Sequence, residues 1–157
     1  QGGKDCEEQL LNLLGEDDTQ LRVTAREMLS QSPVISPARL FRRLQERPDS
    51  ATEIIDIIEA RQDELPPELM VKNALRLQGE PGKRLLEIAT RQAARTDMER
   101  LSIDPSVVGT PDLKIALIRF LAAVDQPQAA QLLMQMAADE SRLVLIEALK
   151  ALKQLKC

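Results

Sequence analysis

Residues 7–31 read EEQLLNLLGEDDTQLRVTAREMLSQ. Leu10, Leu11, Leu13 and Leu14 give the front of this stretch an apolar face, and Gly15 stops it. Asp17, Asp18 and Thr19 then offer side-chain oxygens to the exposed N–H groups of a second helix. In that helix Leu21, Ala25, Met28 and Leu29 recur at i, i+4, i+7 and i+8, one stripe facing one partner. The spacing predicts a helical hairpin.

The same grammar returns at residues 128–155, QAAQLLMQMAADESRLVLIEALKALKQL. Here Ala129, Leu132, Leu133 and Met136 precede an acidic turn at Asp139, Glu140 and Ser141, and Leu145, Ala148, Leu149, Leu152 and Leu155 follow it. A short phrase is common to four places: a small or aliphatic residue, a base, and Ala or Leu three positions after the base, behind an acidic or Pro-containing turn. It occurs as Leu21-Arg22 with Ala25, Val71-Lys72 with Leu75, Leu113-Lys114 with Leu117, and Ser141-Arg142 with Leu145. The bases stand 50, 42 and 28 residues apart. Repeated hairpins of this kind are the unit of an α-solenoid.

The wider composition agrees with helices. A chain of 157 residues can bury about two thirds of its unfolded surface. With only Phe41 and Phe120 as aromatics, the core rests on Leu, Ala, Ile, Val and Met. No stretch sustains the period-two alternation of strands. Eight of the nine prolines fall at junctions, where a missing N–H costs nothing at a first helical turn. The pattern predicts nine helices at about 5–14, 18–31, 37–47, 50–63, 66–78, 82–95, 111–124, 127–138 and 140–155.

The two hairpins above resemble the HEAT-repeat family, including its shorter bacterial forms. The segments PELMVKNALRL (67–77) and PDLKIALIRFL (111–121) look like second helices of two more units. The resemblance implies an all-α solenoid of about four antiparallel hairpins. It also implies that Arg22, Lys72, Lys114 and Arg142 are structural, forming a ladder between units with Asp18, Glu68, Asp112 and Asp139.

Arg39, Arg43 and Arg47 lie at i, i+4 and i+8, with Arg42 beside them. Guanidinium groups suit bidentate binding of carboxylates or phosphates. The next helix carries Glu53, Asp56, Glu59 and Asp63 at similar spacing. Two readings stand: rows that neutralise one another across a hairpin, or a basic patch that docks an acidic partner. Arg84, Arg91 and Arg95 form a second row with the same ambiguity. The aperiodic stretch 96–110 reads either as a joint within a single domain spanning 1–157 or as a partner-binding loop.

Charge and residue types narrow the function. The net charge is −4, with 10 basic and 15 acidic residues up to Gln78 and 11 and 10 after it. No general basic field attracts nucleic acid or anionic lipid, and stacking on bases lacks Trp and Tyr. The chain has no histidine, so a His-based triad or His-liganded metal site is not available. Its glycines do not form a phosphate loop, and no run reaches the ~18–20 apolar residues of a membrane span. Catalysis, cofactors and bound metals are therefore not expected.

Cys6 and Cys157 sit near opposite ends. Helices in a stack lie about 8–10 Å apart, while a disulfide needs Cα atoms within about 7 Å. Free thiols or an intermolecular bridge are the expectation. The chain starts Gln1-Gly2-Gly3 and reaches Lys156-Cys157 on a helical pattern without a stop signal, which reads as part of a longer protein. The compartment is not fixed by these residues, though the cytoplasm is favoured. Taken together, the residues describe a soluble protein–protein interaction scaffold or helical regulatory domain, its partner meeting the second-helix face at Arg39, Arg42, Arg43 and Arg47. The alternatives are a phosphate- or nucleic-acid-contacting module using that Arg face, and a self-assembling structural module, hence a homo-oligomer.

Overall fold

The computed structural model describes residues 9–31, 37–47, 50–138 and 141–155. Among them every regular element is helical and there is no strand. The elements are α1 (9–13 of the described residues), α2 (Thr19–Gln31), α3 (Pro37–Glu46), α4 (Ala51–Ala60), α5 (Pro67–Leu77), α6 (Gly79–Arg91), α7 (Pro111–Val124), α8 (Pro127–Met136) and α9 (Arg142–Gln154). No helix is long and apolar enough to cross a membrane. Pro37, Pro67, Pro111 and Pro127 each open a helix, as their lack of an N–H favours.

Two compact units divide the chain, Gln1–Leu65 and Pro66–Cys157. Residues 96–110, where the sequence suggested a joint, lie inside the second unit.

In the first unit Asp18 caps α2, its Oδ1 accepting from the N–H of Gln20 at 2.9 Å and of Leu21 at 3.4 Å. α2 packs on α4, and α3 packs on α4. The core gathers Leu11, Leu14, Ala25, Leu29, Leu40, Phe41, Leu44 and the isoleucines of α4. Each such Leu or Ile contributes about 1.5–3 kcal/mol through burial. Two side-chain ties join one hairpin to the next. Arg26 of α2 pairs with Asp56 of α4 at 3.0 Å, and Arg43 of α3 donates to Asn12 of α1.

In the second unit α5 and α6 form a hairpin that reverses at Gln78 and Gly79, both at φ 60°. A non-glycine residue there is strained by about 1–3 kcal/mol, and the Gln78 side chain supplies compensation. Its amide Nε2 donates to the carbonyls of Leu75 and Val107, and its Oε1 accepts from the N–H of Gly109 at 2.9 Å. Gly109 stands immediately before Thr110, whose hydroxyl caps α7. The start of α6 is therefore fastened to the start of α7. At the far ends, Gln126 before α8 donates to the carbonyl of Thr96 beyond α6, at 2.9 Å. α6 and α7 consequently run in the same direction, and they pack on each other.

The chain returns between these two helices through three short 3₁₀ turns, Ala93–Arg95, Met98–Arg100 and Pro105–Val107. This segment occupies the place of a first helix, and α8 packs against its second and third turns. It is held along its length: Glu68 accepts from the Asp97 N–H at 2.9 Å, and Asp97 and Asp104 each cap the turn that follows. The Ser106 hydroxyl and N–H donate to Asp104 at 2.6 and 3.0 Å, and these bonds hold its carboxyl below the usual aspartate range. α7 continues into packing with α8 and α9.

Six of these side-chain hydrogen bonds share one feature. They join residues 29, 30 or 31 positions apart: Asn12–Arg43, Arg26–Asp56, Glu68–Asp97, Gln78–Val107, Gln78–Gly109 and Thr96–Gln126. Ties at this separation occur within both units. The prolines and glycines carry the same offset, Pro37 with Pro67, Pro81 with Pro111, and Gly79 with Gly109, each 30 apart.

Candidate partner-binding surface

In the second unit two grooves run beside α7. Between α6 and α7 lies a groove of about 240 Å³, with Lys83 and Glu87 on one wall, Asp112 and Arg119 on the other, and Ile115 and Ala116 among its lining. Between α7 and α9 lies one of about 370 Å³, lined by Ile118, Ala122, Ala123 and Ala151 and edged by Glu147 and Lys150. Arg119 borders both.

Local sequence explains why the grooves exist. A methyl added at Gly82 would stand 2.6 Å from the carbonyl oxygen of Ala74, and 3.4 Å from the Leu113 side chain. Only a bare Cα lets α6 approach α5 this closely while α7 packs alongside. Farther along α7, alanines stand at 116, 122 and 123, where larger residues would fill the recesses. Both walls of the α6–α7 groove carry both signs of charge, and Arg119, Glu147 and Lys150 edge the other groove, so the surface suits a polypeptide bearing mixed charge and small apolar side chains rather than a polyanion. Among the described residues no group of three His, Cys, Asp or Glu side chains is placed to hold a metal ion.

The sequence-predicted site residues lie elsewhere. Arg39, Arg42 and Arg43 are on α3, and Arg47 follows its last turn, its N–H bonded to the Arg43 carbonyl. α3 is the first helix of its hairpin, so the row is not on the second-helix face where the partner was expected. Arg42 and Arg47 are exposed, whereas Arg39 and Arg43 are half-buried. The Arg43 guanidinium reaches Asn12, and its Nε is buried without a hydrogen-bond partner among the described residues. Of the acidic row on α4, Asp56 meets Arg26 of α2 at 3.0 Å.

Of the expected ladder bases, Arg22 lies on α2, Lys72 on α5, Lys114 on α7 and Arg142 on α9. Asp18 caps α2, and Arg22 donates to Thr19 at 3.2 Å. Glu68 does link adjacent repeats, but to the backbone of Asp97. Lys72 borders a recess with Arg100 and Leu101, Lys114 borders one with Asp104 and Ser106, and Asp112 edges the α6–α7 groove. Arg142 is exposed at the start of α9. Asp139 lies outside the described residues, as do Cys6 and Cys157. The residues that do join repeats, Asn12, Arg26, Gln78 and Gln126, were missed because they share no residue type. The 30-residue offset of Pro and Gly would have found them.

Comparison with protein-family models, curated proteins and solved structures gave no match to this chain.

Proposed function

We propose that this chain is a non-catalytic protein–protein interaction module, in which each unit is a short stretch of HEAT-like α-solenoid. The observation that carries this reading is the pair of grooves meeting at Arg119 between helices of one direction. Extended surfaces of stacked second helices are how such repeats bind peptides and helices. The partner segment lies along α7, with small apolar side chains in the two recesses and charges of both signs toward Lys83, Glu87, Asp112 and Lys150.

A photo-crosslinking residue at position 119 tests this directly. Expected is an adduct with one identified protein, which is lost when Ala123→Trp fills the α7–α9 groove while the melting temperature holds. The same residue at Arg76, exposed on α5, yields no such adduct. Equal labelling from both positions, or no effect of Ala123→Trp, contradicts the reading.

A further inference from the structure

We propose that copies of this chain join through unlike faces, the outer face of α9 in one copy covering the outer face of α2 in a second. The proposal is independent of the grooves, because it uses another side of α9. At about 100° per residue, Leu149 lies roughly 200° around the helix from Ala151, which faces α7.

Both faces are apolar where their counterparts in neighbouring repeats are buried. Met28 on α2 is 53% exposed, while Ile57 and Ile58, 29 and 30 residues on, are fully buried. Leu21 is 43% exposed, while Ala51, 30 residues on, is buried. On α9, Leu149 is 53% exposed, yet Ile118, 31 residues before it, is 1% exposed and lines the groove toward α9. Leu143 and Ile146 extend the exposed stripe. These are not scattered surface residues but positions at which other repeats receive a neighbour.

Charge selects the pairing. Around the α9 stripe Arg142 and Lys153 are exposed, while Lys150 and Glu147, 3.9 Å apart, edge the α7–α9 groove. Around Leu21 and Met28 the exposed charges are Glu16, Asp17, Asp18 and Glu27. The two bases of α2 are engaged, Arg22 with Thr19 and Arg26 with Asp56. A basic apolar face and an acidic apolar face attract each other, and each repels a copy of itself. Unlike faces therefore meet in the link.

Light scattering of the whole chain under reducing conditions, from about 1 to about 500 µM, tests the proposal by mass action. The mass is expected to rise with concentration above that of one copy. Arg142→Glu with Lys153→Glu, or Asp17→Lys with Glu27→Lys, should each weaken association by roughly tenfold or more. An equimolar mixture of the two variants should recover it. A monomer throughout the range overturns the proposal. So does undiminished association by the Asp17→Lys, Glu27→Lys protein, which would mean that α9 faces pair with one another. Leu149→Glu, with its helical content checked by circular dichroism, should be monomeric and folded.

Discussion

At the scale of single residues, Arg43 shows how one position can be half of a pattern and all of a contact. By spacing it belongs with Arg39 and Arg47 on a basic face. In the structure its guanidinium bonds to Asn12 in the neighbouring hairpin, so its first duty is to hold α3 against α1. Arg43→Ala is expected to lower unfolding free energy by about 1–2 kcal/mol, the range for losing a charged hydrogen bond with partial burial. Arg42→Glu, on an exposed side chain, should change stability by less than about 0.5 kcal/mol. Urea denaturation distinguishes the two, and equal effects would contradict the assignment. Spacing revealed that the three arginines share a face but not which of them that face turns toward α1, because that depends on the hairpin register.

At the scale of elements, the helices were legible and their partners were not. α2, α3, α5, α7 and α8 begin within about a residue of expectation, since Pro or Asp at the first turn leaves a chemical mark. α6 begins three residues earlier than the expected 82, at Gly79, because Gln78 takes a left-handed φ that its own side chain stabilises. That shift turns Gly82 from a start mark into the contact between helices. Gly82→Ala would gain about 1 kcal/mol of helix propensity. It would also force a backbone carbonyl away, and a net loss of about 1–3 kcal/mol is expected, read as a lower melting temperature. Unchanged or raised stability would mean that α5 and α6 do not approach as described. The apolar stripes were also only partly legible. Met28 and Leu149 fit the helical period of a core face, yet both lie outside the core, since periodicity does not say whether a neighbour is there to cover them.

At the scale of the molecule, the uneven spacing of the four basic phrases hid a regular period. The phrases at Lys72 and Lys114 do not mark equivalent helices: Lys72 is on the first helix of a hairpin and Lys114 on a helix whose preceding partner is a set of 3₁₀ turns. The period is instead written in side-chain ties 29–31 residues apart. It makes α6 and α7 parallel, and that direction forms the grooves. Pulsed electron spin resonance on the chain with Cys6→Ser and Cys157→Ser, spin-labelled in pairs, measures the direction. Positions 112 and 123 are separated by roughly 16 Å along α7. A label at position 80, near the start of α6, should lie closer to one at 112 than to one at 123, by most of that length. A shorter distance from 80 to 123 would mean antiparallel helices and would contradict both the repeat and the grooves built on it.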